Sequence, residues 1–173
     1  VKVMVPTSKA EEIGGRNIIS KDSVLIRTTE DLIDKIWTNR PSISKEPAYE
    51  LGFEFTGLNR TDKLNIVKEY LKTKNATALV LTSLDDIMWL FNVRGNDVEC
   101  NPVVLSYSII YQDKTVLYLH KEVLNESLYN NLVNDNIIIK DYNDIYTDVT
   151  TFDESNTVIY QNNKVNFALS ALI

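Results

Sequence analysis

Histidine and cysteine are nearly missing from this chain, which has one of each, His120 and Cys100. One cysteine makes neither an intrachain disulfide nor a thiolate metal cage. One histidine, at the end of an apolar stretch, cannot supply the several converging ligands of a hydrolytic metal centre. It could be recruited to a Ser–His–Asp arrangement, but no serine carries an elbow motif. Glycine is scarce, at five residues, and Gly14-Gly15 lacks the strand, lysine and hydroxyl pattern of a phosphate-binding loop. No apolar run reaches the roughly eighteen residues of a membrane span, and no signal-peptide pattern opens the chain. Basic clusters are absent too. With 18 Lys and Arg against 24 Asp and Glu, the net charge is −6 and the pI about 4.8. Nucleic acid is excluded as a partner, because a polyanion needs clustered cations to release its counterions. No membrane partner is expected, and the compartment reads as cytoplasmic. The three Asn-x-Ser/Thr triplets, at Asn59, Asn75 and Asn125, are expected by chance in a chain rich in asparagine.

What is present reads as an alternation of strands and helices. Val1–Val5 alternates like a short strand and Val24-Leu25-Ile26 is strand-like. Thr28 or Thr29 can cap a helix whose face is Leu32, Ile33, Ile36 and Trp37. Pro41 and Pro47 bracket an extended connector, since each denies a helix to its predecessor. Past Gly57, Thr61-Asp62 opens a helix with Leu64, Val67 and Leu71 on one side and Asn75 near its end. Ala78–Leu81 is an apolar run of the kind buried on both faces of a sheet. Ser83 to Asp86 resembles a capping box opening a helix with Leu84, Ile87, Met88 and Phe91 on one face. That helix is apolar on most sides, so Trp89 is expected in the core. Strands at Val103–Tyr111 and Thr115–Leu119 flank the turn Gln112-Asp113-Lys114 as a hairpin. A helix with Leu124, Leu128 and Leu132, strands at Ile137–Ile139 and Val158–Tyr160, and a terminal helix complete the pattern. The fold class is α/β, a mixed sheet flanked by helices. The chain starts at Val1 and stops within the apolar stretch Ala168–Ile173, as a segment of something longer would.

The stretch Leu84 to Pro102, LDDIMWLFNVRGNDVECNP, stands apart. A short apolar helix runs into a loop carrying Arg94, Gly95, Asn96, Asp97 and Asn101. Scaffolds position functional groups in this way. Turn chemistry alone also accounts for it, with Gly95 supplying a positive φ and Arg94 answering the helix dipole. Asp85-Asp86 reads as a pair of helix-start acids rather than a metal site.

This stretch resembles the motif of cytosolic-type aminopeptidase P (Xaa-Pro aminopeptidase): Leu84, Asp85, Ile87, Trp89, Leu90, Asn92, Arg94, Gly95, Asp97, Asn101 and Pro102 match it. Asp31 to Pro41 resembles that family's helix and connector closing a first domain, and Phe55-Thr56-Gly57 with Asp62-Lys63-Leu64 the start of its second. The resemblance implies residues 1–50 as the tail of a preceding domain and connector, and 51–173 as a non-catalytic creatinase-type domain. It implies no cofactor in this chain. Two manganese ions would belong to a pita-bread catalytic domain elsewhere in the same polypeptide. Xaa-Pro peptides would be the substrates and a homodimer the assembly. Loop Arg94, Gly95, Asn96, Asp97 and Asn101 would face the substrate entrance or the catalytic domain, with Arg94 pairing an acidic group and Asp97 fixing its guanidinium from behind. The alternative is a creatinase-type binding or scaffolding module without peptidase activity.

Overall fold

The structure, a computed structural model, describes residues 2–6 and 24–28 by their backbone and residues 36–173 in full. The chain divides into two units, Val1–Ile43 and Ser44–Ile173. In the first, strands β1 (Lys2–Pro6) and β2 (Val24–Thr28) pair in parallel, Lys2 opposite Val24. The expected helix on Leu32, Ile33, Ile36 and Trp37 falls largely outside the described residues, as does Gly14-Gly15. The Arg40 guanidinium lies over the Trp37 ring, 5.4 Å from its centroid.

The second unit contains β3 (Tyr49–Glu50), α1 (Phe53–Thr56), α2 (Arg60–Thr73), β4 (Ala78–Leu81), α3 (Leu84–Phe91), β5 (Val93–Arg94), β6 (Ser106–Tyr111), β7 (Thr115–Leu119), α4 (Glu126–Asn134), β8 (Ile137–Lys140), α5 (Asp144–Asp148), β9 (Val158–Tyr160) and α6 (Phe167–Ser170). Five strands make one sheet in the order β8-β7-β6-β4-β9. The hairpin β6–β7 and the pair β4–β6 are antiparallel, while both outer strands run parallel to their neighbours. The sheet is therefore mixed, with helices on both faces.

Alternation along the strands sorts side chains between two cores. Leu79, Ile110, Leu117, Leu119 and Ile137 face α2, α3 and α4, meeting Leu64, Leu71, Ile87, Phe91, Leu128 and Leu132. Ala78, Val80, Ile109, Val116 and Tyr118 face the other way, against Ile145, Val149 and Leu169.

Two boundaries and one cap depart from the sequence-based expectation. Strand β6 begins at Ser106 rather than Val103, because the preceding backbone is spent elsewhere: Val103 N–H donates to Asn101 O and Leu105 N–H to the Asp97 carboxylate. Helix α4 starts after Leu124, since Asn125 is its cap and accepts from Leu128 N–H at 2.9 Å. Ser83 is the N-cap residue of α3, but its hydroxyl makes no capping bond.

The second core closes on an ion pair. Asp148 accepts from the Tyr118 hydroxyl at 2.6 Å and from Lys140 Nζ at 2.7 and 2.9 Å. Burial would raise the Asp148 carboxyl, but the bonds from Lys140 and Tyr118 outweigh it and hold the group below the usual carboxylate range. A depressed folded-state value stabilises the fold at pH above the unfolded value of about 3.9, and that stability is lost as pH falls through the folded value. Asp148→Asn should therefore flatten the loss of stability between about pH 4 and pH 2 in denaturant unfolding. A variant that keeps the wild-type slope would contradict the assignment.

Candidate functional site

The site grows from the end of α3. Asn92 follows the helix in the left-handed conformation, φ 54° and ψ 32°, with its N–H on Met88 O. Asparagine tolerates this region because its short polar side chain bonds locally. The positive φ expected at Gly95 is therefore supplied by Asn92 instead. Gly95 serves a different need: a Cβ there would sit 2.5 Å from Val104 Cγ2, so only glycine lets the loop fold back onto Val103-Val104. Gly95 N–H reaches Pro102 O and Asp97 N–H reaches Val103 O, closing the loop on itself. Cys100, at its exposed tip, also has a positive φ, 62°.

Asn92 is a hub. Its carbonyl accepts from Leu51 N–H at 2.8 Å and its Nδ2 donates to Leu58 O at 2.9 Å, so it holds both ends of the segment that contains α1. Its Oδ1 accepts from Lys63 Nζ at 2.6 Å. Lys63 is buried on α2, donates a second bond to Trp89 O at 2.8 Å, and lies 4.3 Å from the centroid of the Trp89 ring. Burial and then the neighbouring Arg94 push the Lys63 ammonium below the usual lysine range. Its attraction to the carbonyl end of α3 opposes both.

Trp89 is not a core residue. Helix α3 buries Ile87, Met88, Leu90 and Phe91 and leaves Trp89 52% exposed, where its indole shields Lys63. An apolar composition does not make every face of a helix internal. Here one aromatic is used as a cover for a cation.

Arg94 is half-buried in β5, opposite Tyr49. Its Nη1 donates to Met88 O at 2.6 Å and to Val93 O at 2.8 Å. It therefore answers the carbonyl end of α3, as turn chemistry alone anticipates. Asp97 does not fix it from behind. The Asp97 carboxylate accepts instead from Ser44 Oγ at 2.6 Å, Glu46 N–H at 3.1 Å and Leu105 N–H at 2.8 Å. It fastens the connector to the start of β6. Asn96 is exposed, and Asn101 reaches Asp85 Oδ1 at 3.4 Å.

In the sequence Lys63 and Asn92 stand out only as matches to the family motif, with no role attached to either. A signal existed: Arg60 and Lys63 share the helical spacing of Leu64, Val67 and Leu71, which places two cations on an inward face. His120 lies elsewhere, stacked on Tyr142 with ring centroids 5.0 Å apart and Nε2 buried without a hydrogen bond. No three His, Cys, Asp or Glu side chains gather into a metal-holding group among the described residues. Nor is any of their helices long and apolar enough to cross a membrane.

The model of the creatinase/prolidase N-terminal domain matches residues 39–173, more than half of the chain. The chain belongs to that family. The resemblance seen in the motif of α3 and its loop extends to curated relatives of the domain. A probable Xaa-Pro aminopeptidase P from Sordaria macrospora is 33% identical over 96% of this chain and 29% of its own length. Xaa-Pro aminopeptidase app-1 of Caenorhabditis elegans is 31% identical over 83% of this chain and 24% of its length. The domain also superimposes on an X-prolyl aminopeptidase from Caenorhabditis elegans, described as a cytosolic enzyme with a di-nuclear active site. That match has a TM-score of 0.82 and 28% identity, over 96% of this chain and 27% of the other. The chain thus spans less than a third of the length of these relatives.

The two acts of the loop predict an order of stabilities. Asp97→Ala should lose about 2–3 kcal/mol, since three donors lose a charged acceptor. Trp89→Ala should lose about 1 kcal/mol, the worth of a half-exposed cation–π contact. Denaturant midpoints measure both, and a larger loss at Trp89 than at Asp97 would contradict this assignment.

Proposed function

We propose that this chain is a non-catalytic domain of a metal-dependent Xaa-Pro aminopeptidase, shaping substrate access to a pita-bread catalytic domain of the same polypeptide. The parent enzyme removes the N-terminal residue preceding proline. In this reading residues 51–173 are the creatinase-type domain and residues 1–50 the tail of a preceding domain with its connector. The supporting observation is the likeness, over 96% of this chain, to the cytosolic X-prolyl aminopeptidase with a di-nuclear site. A cytoplasmic location and a homodimer belong to the same proposal.

No three metal-ligating side chains gather among the described residues, and in this reading the two manganese ions belong to the catalytic domain. The contribution of this chain is geometric. Asp97 fixes the connector, Asn92 fixes the segment before α2, and both hold the loop from Arg94 to Asn101 in one shape. Arg94 spends Nη1 on two carbonyls, while its Nε and Nη2 donate to none of the described residues. This free edge of a planar, doubly donating group suits a carboxylate on the catalytic domain or on the peptide.

Assaying Xaa-Pro dipeptide cleavage in the longer polypeptide tests the reading, with the 173-residue chain as the inactive control. Arg94→Ala should lower kcat/KM about tenfold to a hundredfold, corresponding to about 1.5–3 kcal/mol. Because Nη1 also answers the carbonyl end of α3, the same variant should lose about 1–2 kcal/mol of stability and still fold. Turnover by the purified 173-residue chain, or wild-type efficiency in a well-folded Arg94→Ala enzyme, would sink it.

A further inference from the structure

Arg94 is oriented before any carboxylate reaches it. Its Nη1 bonds to Met88 O at 2.6 Å and to Val93 O at 2.8 Å fix the plane of the guanidinium. Nε and Nη2 donate to none of the described residues, and neither atom is sealed from solvent. These two nitrogens carry parallel N–H bonds on one edge, which can meet both oxygens of a carboxylate at once. Asp97, the acid nearest to Arg94 in sequence, is spent on Ser44, Glu46 and Leu105.

A structural ion pair orients its arginine through the pair itself. Here two main-chain carbonyls at the end of α3 complete the orientation without one. Ordering the guanidinium beforehand removes a cost that an exchanging ligand would otherwise bear. The local potential is prepared as well. In a chain of net charge −6, the buried Lys63 ammonium lies close enough to Arg94 to repel it, and neither cation has a paired acid among the described residues. The flank of the open edge is aromatic. Tyr49 stands opposite Arg94 in the β3–β5 ladder, so the two side chains share a face, and Tyr49 is 45% exposed. A ring beside a carboxylate fork suits the last residue of a peptide, with its carboxylate in the fork and an apolar side chain on the ring.

We propose that the Nε–Nη2 edge of Arg94, with Tyr49 beside it, binds the free C-terminal carboxylate of a short peptide substrate. Arg94 is then a specificity-determining residue. It favours peptides whose C-terminus reaches the loop, and it discriminates against those whose terminus is blocked or lies further on. The peptide as ligand rests on the aminopeptidase reading, whereas the carboxylate fork does not.

The test begins with the isotopically labelled 173-residue protein, titrated with Ala-Pro-Leu, its C-terminal amide and acetate. NMR follows the Arg94 Nε–H resonance and the Tyr49 amide. The free peptide should shift both with a Kd on the order of 10 mM or tighter, and the amide and acetate should each bind about tenfold or more weaker. Arg94→Met should bind acid and amide alike, read at the Tyr49 amide. Equal affinity of the wild type for peptide and amide, equal affinity for peptide and acetate, or no saturation by about 100 mM would overturn the proposal. In the longer polypeptide, kcat/KM for Ala-Pro-Leu should exceed that for its amide about tenfold, and the ratio should fall to about one in Arg94→Met. An equal loss on both substrates in that variant gives the carboxylate to the enzyme and overturns the proposal. Absence of turnover by the wild type contradicts the aminopeptidase reading instead, and the titration, which needs no activity, still decides the carboxylate site.

Discussion

One ammonium group organises the helical face of this domain. Lys63 stands in the first turn of α2, near the positive end of its own helix, and is buried there. Both facts oppose a charge at that point. What stabilises it is the negative end of the neighbouring helix α3, reached directly through Trp89 O, with the Asn92 amide oxygen as a second acceptor. No carboxylate takes part. The cation is held by a helix end, an amide and the face of an indole, and it draws the start of α2 against the end of α3.

The rest of the site follows from that junction. With Asn92 held in its left-handed conformation, the chain leaves α3 sharply into β5. The same residue pins Leu51 and Leu58, so α1 is suspended between two bonds to one side chain and its backbone. Beyond β5, Gly95 permits a close fold-back and Asp97 gathers three donors from the connector and the start of β6. A polar loop that looks like a reaching arm in sequence is a clamp in structure. Its available edge is the outer side of the Arg94 guanidinium.

Much of the fold was legible beforehand because it rests on local patterns. The apolar run of β4, the hairpin turn before Thr115, and the spacing of Leu64, Val67 and Leu71 each fix an element without outside help. The site was legible only in outline. Residues 84 to 102 could be singled out, yet which side chain did which task depended on contacts across some thirty to fifty residues of sequence, such as Lys63 with Asn92 and Asp97 with Ser44. Trp89 shows the same limit: an aromatic on an apolar helix reads as core until a buried cation is found beneath it. Val103–Leu105 reads as strand until its N–H groups are seen to be taken by the loop.

The central claim is that Lys63 and Asn92 act as one unit. A double-mutant cycle addresses it most directly, with Lys63→Met keeping the aliphatic stem and Asn92→Gly keeping the left-handed backbone. Denaturant unfolding of the wild type, both single variants and the double variant gives the coupling. The account predicts a coupling of about 1 kcal/mol or more, because either substitution alone strands the other partner. Additivity within about 0.5 kcal/mol would contradict it and leave the two residues as independent parts of the core.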